Sequence, residues 1–175
     1  METPRLVEVT IAGVHRHPAK ADHRLVLLRP AAADQVLPIW IGPCEADAIT
    51  RALEGQPPAR PMTHDLTIRL LQALGGQVAR VVVNQLVNDT YYAAITVTQG
   101  GQHQTVDARP SDALALAVRT GAPLYLAQAV LEATPTYPAG TDLAPVWEQM
   151  PARQPARGAA AGPPGAEPPP ASATP

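Results

Sequence analysis

Two short words, Gly42-Pro43-Cys44-Glu45-Ala46 and Arg109-Pro110-Ser111-Asp112-Ala113, hold equivalent places in the two halves of this 175-residue chain. Each follows three strand-like runs and each opens a helix with proline, whose fixed φ suits a first helical position and whose missing N–H is not needed there. In the first half the runs cover 6–14, where Val7, Val9 and Ile11 alternate with other residues, then 25–28 and 36–41. In the second half they cover 78–87, 90–98 and 104–108, turned at Asn88-Asp89 and Gly100-Gly101, pairs that accept tight-turn geometry. Such a repeat predicts an α+β fold in which a three-stranded β-meander plus helix is duplicated within one mixed sheet.

The remaining elements fill in around this frame. A helix is expected over 44–53, closed by Gly55, with Glu45 complementing its unpaired N–H groups. After the prolines at 57, 58 and 61, Thr63 is the expected N-cap of a second helix carrying Leu66, Ile68, Leu70, Leu71 and Leu74 at helical spacing, ended by Gly75-Gly76. A third helix over 113–119 stops at Gly121, followed by a short strand at 123–127 and a helical turn at 129–133. There is no Phe, so the core is expected to be aliphatic, with Trp40, Tyr91, Tyr92 and Tyr125 as its main large side chains. Residues 1–135 form the expected domain and 136–150 a C-terminal extension. Residues 151–175 contain no Val, Leu, Ile or aromatic residue, and with nothing to bury they are expected to be a disordered Pro/Ala-rich tail.

Charge narrows the partners. The chain carries a formal −2, and because the tail's Arg153, Arg157 and Glu167 sum to +1, the body carries −3. A broadly basic nucleic-acid footprint is absent, which leaves local Arg groups as the phosphate contacts. Cys44 is the single cysteine, so no intrachain disulfide forms, and a small core residue is the expected role. Neither a signal peptide nor a membrane-length apolar run is present. A cytoplasmic protein without membrane contact is expected.

Chemistry-bearing residues gather in a few places. His64 sits beside Asp65 at a helix start, close after Arg60, and a His with a carboxylate neighbour suits general acid–base work near neutral pH. Asp107 and Arg109, two apart on a strand, are expected to share a face and to converge with Asp112 at the next helix start, where N–H groups and Arg favour phosphate. Ser111 is expected to cap that helix. A divalent cation such as Mg²⁺ would need oxygen ligands, for which Asp107, Asp112 and Glu45 are the candidates, although no spacing here is diagnostic. His15 and His17 are expected to be exposed turn residues. No G-x-S-x-G, P-loop or G-x-G-x-x-G occurs.

Leu37-Pro38-Ile39-Trp40-Ile41-Gly42, Glu45-Ala46, Arg60-Pro61-Met62-Thr63-His64-Asp65-Leu66, Asp89-Thr90-Tyr91-Tyr92-Ala93 and the run Asp107 to Ala117 follow one another in order. Together they resemble the bifunctional nuclease domain family of bacteria and plants, over about residues 5 to 135. The resemblance implies an α+β fold, hydrolysis of phosphodiester bonds in RNA and DNA, and a homo-oligomer. Carried over by motif, it highlights Arg60, Thr63, His64, Asp65, Asp107, Arg109, Ser111 and Asp112; by side-chain chemistry His64, Asp65, Asp107 and Asp112 are the candidates for catalysis, and Arg60, Thr63, Arg109 and Ser111 those for substrate binding. Two positions depart from the pattern: Asn88-Asp89 stands in place of an Asp-Gly type turn, and Tyr91 where Phe is common. The alternative is a noncatalytic oligomeric module that binds nucleic acid, nucleotide or a protein partner, with the same residues serving as caps and interface pairs.

Overall fold

The computed structural model describes residues 4–149. In chain order its elements are β1 (Leu6–Arg16), β2 (Arg24–Pro30), β3 (Gln35–Ile41), α1 (Pro43–Leu53), α2 (Thr63–Ala73), β4 (Gly76–Val87), β5 (Thr90–Gln99), β6 (Gln102–Ala108), α3 (Pro110–Thr120), β7 (Leu124–Ala127), α4 (Gln128–Ala133), β8 (Tyr137–Pro138) and α5 (Ala144–Gln149). The eight strands among the described residues form one sheet in the order β6-β5-β4-β7-β1-β2-β3-β8. Only the β4–β7 pairing is parallel. Because β7 runs parallel to β4 and antiparallel to β1, the two inner strands run in opposite directions and the meanders fan outward on either side of β7. That is the arrangement a duplicated unit related by a local two-fold would give. The repeat extends to detail: β1 and β4 both carry bulges, which bend long strands, and α1 and α3 are both eleven residues with proline in the first turn.

Local chemistry explains the boundaries. Asn88 and Asp89 both adopt positive φ (48° and 59°), and Gly100 and Gly101 do the same (54° and 78°), as two-residue hairpin turns between twisted strands require. The strand edges lie within two residues of the expected ones. At α2 the cap differs from expectation: Met62 is the N-cap, Thr63 is already helical, and the Asp65 carboxylate accepts from the Met62 N–H at 3.0 Å. A carboxylate three residues into the helix reaches back to an otherwise unpaired N–H, so the cap needs no hydroxyl. At α3, likewise, Arg109 is the N-cap and no side-chain capping bond is made, while Ser111 is buried within the first turn. Capping by Ser111 is therefore corrected.

The helices α1 to α4 contribute to the core on one face of the sheet, where Val26, Leu28, Leu37, Ile39, Val81, Val83, Ile95 and Leu126 meet Ile49, Leu114, Leu116 and Val130. The core is aliphatic, as expected, and α3 is buried nearly all round, from Pro110 through Ala117 save Asp112. Alanines at 46, 48, 113, 115 and 117 let α1 and α3 approach closely. The opposite face is covered at one end by α5, where Val146 and Trp147 pack with Leu25, Trp40, Tyr137 and Leu143. Trp147, not among the expected large core residues, is the aromatic side chain that is buried, while Tyr91, Tyr92 and Tyr125 are only partly covered. Cys44 is exposed, not a core residue. It falls on the solvent side of α1, whose inward positions are Ala46, Ala48 and Ile49. The tail expected over 151–175 lies outside the described residues. No described helix is long and apolar enough to cross a membrane.

Leu114 has no exposed surface and Leu74 is 71 % exposed. Leu114→Ala should lower stability by about 2–5 kcal/mol, the usual result of emptying a close-packed site. Leu74→Ala should stay within about 0.5 kcal/mol. Urea unfolding of the two variants beside wild type measures both.

Candidate functional site

Three helix starts supply one network. Glu45 stands in the first turn of α1, His64 and Asp65 in that of α2, and Asp112 in that of α3, with Arg109 as the α3 cap. His64 Nε2 lies 3.1 Å from Asp112 Oδ1, joining residues 48 apart in sequence. Arg109 donates to the same carboxylate twice, from Nε to Oδ2 at 2.7 Å and from an Nη to Oδ1 at 3.1 Å. It also reaches Glu45 Oε1 at 2.9 Å. Gly42 makes room for this, because a Cβ there would collide with the Glu45 carboxylate.

Electrostatics follow from these contacts. Partial burial pushes the Asp112 carboxyl up, but hydrogen bonds from Arg109 and His64 and the charges of both outweigh it and hold the group below its ordinary value. Asp112 is thus ionised and acceptor-only, so His64 Nε2 carries the proton of their bond and Nδ1 holds the lone pair when the ring is neutral. The hydrogen bonds that Arg109 donates to Asp112, with the charges of Asp112 and Glu45 and against a smaller effect of burial, raise the guanidinium further above its already high value.

A second layer supports the first. Arg119, near the end of α3, has a side chain only 9 % exposed. It donates to Asp65 Oδ1 at 2.8 Å, to the Ala115 carbonyl at 2.9 Å and to the Ala48 carbonyl at 3.0 Å. One guanidinium therefore ties α1, α2 and α3. Burial works to raise the Asp65 carboxyl, yet the bonds from Arg119 and the Met62 N–H, with the charges of Arg119 and His64, bring it below its ordinary value. Arg119 was invisible as a site residue because its partners lie 54 and 71 positions away. The one signal in the sequence was a lone Arg following six residues of apolar helix, Ala113 to Val118.

The other expected residues fall outside this network. Arg60 and Thr63 are exposed beside the start of α2, and the Thr63 carbonyl accepts from the Thr67 hydroxyl. Ser111, which precedes Asp112, is buried within the first turn of α3. Asp107 does not converge with Arg109 and Asp112. It pairs with Ala94, Ala94 with Val82 and Val82 with Tyr125, a row on the sheet face opposite the core residues Ala93, Val81 and Leu126. The period-two argument fails because β6 ends at Ala108 and Arg109 already belongs to the helix cap. Among the described residues no three His, Cys, Asp or Glu side chains are grouped to hold a metal ion. Of the three candidate ligands, Glu45 and Asp112 have the Arg109 guanidinium between them, and Asp107 is on the far face. The residues present do not make a cation site in this arrangement.

An α+β sheet of duplicated meanders, with an Arg–Asp–His network at its helix starts, defines the class to which this chain is similar. The bifunctional nuclease domain matches residues 26–138, and the chain belongs to that family. Uncharacterized proteins MT1877 and Rv1829, from two strains of Mycobacterium tuberculosis, are each 41 % identical to it over 124 residues, 71 % of this chain and 73 % of theirs. Bifunctional nuclease 2 of Oryza sativa subsp. japonica is 27 % identical over 113 residues, 62 % of this chain and 35 % of the rice protein.

Arg119→Ala should lower stability by about 3–5 kcal/mol, since it leaves Asp65 without its buried partner, and Arg119→Lys should recover only part of this. Arg109→Ala, at an exposed pair, should cost less than about 1 kcal/mol. Urea midpoints of the three variants decide between these values.

Asp65 adds a pH signature. Its lowered folded value means that its contribution is full above the ordinary Asp value of 3.8 and is lost as pH falls from there through the folded value. The stability gap between wild type and Asp65→Asn should be constant above about pH 5 and shrink below about pH 4. A gap that instead widens in acid would contradict the assigned pairing.

Proposed function

We propose that this chain hydrolyses phosphodiester bonds in RNA and DNA, with His64 as the proton carrier and Asp112 as the carboxylate that orients it. The observation that carries this reading is the His64–Asp112 hydrogen bond, which brings the two motif blocks of the chain into direct contact. A His held by a buried-side carboxylate, with an unprotonated ring nitrogen remaining, is the arrangement a general base needs. Water is the nucleophile in this scheme, because DNA lacks the 2′-hydroxyl that would otherwise attack. His64 Nδ1 takes a proton from water, the new P–O bond forms, the bond to the leaving sugar oxygen breaks, and the imidazolium or solvent returns a proton to that oxygen.

Arg109 is the phosphate contact in this scheme. Its side chain is 64 % exposed, so it can exchange a carboxylate for a phosphate oxygen, and Arg60, exposed just before α2 in the sequence, is a second candidate contact. Asp65 acts through position, by fixing the α2 start beneath His64. Asp107, on the other sheet face, has no part in the step, and no step is assigned to a divalent ion. A cytoplasmic setting accords with a single cysteine and the lack of a disulfide.

The test is cleavage of labelled single-stranded RNA and DNA by the purified full chain, with Mg²⁺, Mn²⁺ or EDTA, beside His64→Ala, Asp112→Asn and Asp107→Asn. The first two should lose at least about a hundredfold in rate with their far-UV spectra unchanged, and Asp107→Asn should cleave as wild type does. Equal inactivity of wild type and all variants would instead support a noncatalytic module that binds nucleic acid, nucleotide or protein. Complete loss in EDTA would show that cleavage needs a divalent cation and would overturn the metal-free scheme.

A further inference from the structure

The two edges of the sheet are treated differently. At one end β3 carries Pro38 and is capped by the two-residue β8, paired to Gln35 and Val36. At the other end β6 is the outermost described strand: seven residues, without Pro, Lys or bulge, in unbroken register with β5 from Gln99↔Gln102 to Ala93↔Ala108. All but Ala108 are exposed, including Val106 at 49 %. Natural sheets guard such edges or use them.

The β5–β6 turn fixes which backbone groups are free. In a two-residue hairpin the flanking pair Gln99↔Gln102 exchanges its N–H and C=O groups, and bonded pairs then alternate along the ladder. Gln102, Gln104, Val106 and Ala108 therefore bond inward to β5. His103, Thr105 and Asp107 present their N–H and C=O groups outward.

We propose that this edge pairs with the β6 edge of a second copy of the chain, antiparallel, with Thr105 of each copy on the two-fold axis. In that register His103 faces Asp107 of the other copy on both sides of the axis, and all three outward residues of each strand find bonded partners. A shift of two residues either way leaves one of the three unpaired and separates His103 from Asp107. The charge complementarity of the strand with its own reverse selects a second copy over an unrelated peptide. His103 Nδ1 already meets Thr98 Oγ1 at 3.1 Å, which holds the ring and leaves Nε2 for the carboxylate opposite. Gln104 falls opposite Val106, whose exposed surface is then covered. This gives Asp107, idle in the proposed chemistry, a use that does not depend on the nuclease reading.

Sedimentation velocity of the full chain across micromolar concentrations reads the mass. Wild type should sediment at twice the chain mass, and Thr105→Pro, which removes an outward N–H but no β5 bond, should sediment as a monomer. His103→Asp and Asp107→His should each weaken association about tenfold, because the two-fold axis makes every change act twice. The double variant, which restores the pair in reverse, should recover it. In a Cys44→Ser background, Thr105→Cys should oxidise to a covalent dimer while His103→Cys, displaced from its own copy, should not. These cysteine variants decide the matter even if Thr105→Pro disturbs folding. A monomeric wild type overturns the proposal. So does a dimer without the Thr105→Cys cross-link, which would direct attention to the exposed Leu66, Leu70 and Leu74 of α2.

Discussion

A buried guanidinium cannot be left partly satisfied, and Arg119 shows how a small domain meets that demand. Its donors reach a carboxylate on α2, a carbonyl on α1 and a carbonyl on its own helix. The desolvation of such a group is expensive enough that all three partners must be in place together. This fixes the first turn of α2 against the α1–α3 pair, and that turn otherwise has little to hold it, since none of α2's residues is fully buried. The bond of His64 to Asp112 follows from this clamp one residue away. Ala48 and Ala115 are small enough for the guanidinium to lie against the backbone, so the alanine-rich faces of α1 and α3 serve the clamp as well as the core.

The duplicated architecture was legible because it rests on local signals that repeat: period-two runs, tight-turn pairs, and a proline at each helix start. The α+β class, the three-strand meanders and the aliphatic core all follow from them. The helical spacing of Leu66, Leu70 and Leu74 was legible too, although periodicity states that a stripe exists and not that a layer covers it, and these side chains are exposed. The failures have a common physical origin. Asp107 and Arg109 would share a face in a continuing strand, but proline at 110 starts a helix and reassigns Arg109 to its cap. Thr63 and Ser111 look like caps by residue type, whereas Asp65 makes the capping bond at α2 and burial claims Ser111. Arg119 and Trp147 depend on partners distant in sequence, where no local rule reaches.

Trp147 also shows why the last described helix matters to the frame. The sheet has two faces and α1 to α4 contribute to the core on only one. At the β2–β3 end, Leu25 and Trp40 project to the other face and α5 covers them. The two meanders are therefore alike in topology and unlike in environment: one has its outer face covered at one end by α5 and its edge capped by β8, and in the other, among the described residues, β6 is an uncapped edge. Duplication supplies equal halves, and the C-terminal segment makes them unequal.

The same asymmetry operates within α3, which bears two arginines with identical chemistry and opposite burial. Arg119 is enclosed, so any exchange of its partners would expose a bare charge to the protein interior. Arg109 is mostly in solvent, where an ion pair with a carboxylate is worth only about 0.2–1 kcal/mol. Its hold on Glu45 and Asp112 keeps two negative charges close together without water-inaccessible repulsion, and it can be traded for a phosphate oxygen at little cost. Were it to turn toward a phosphate in the proposed hydrolysis, Asp112 would keep the His64 bond, and the loss of a positive neighbour would strengthen that carboxylate's pull on the imidazole proton. In that proposal, binding of an anion and activation of the base are one movement, performed by a side chain free to make it because the other arginine has fixed the helices around it.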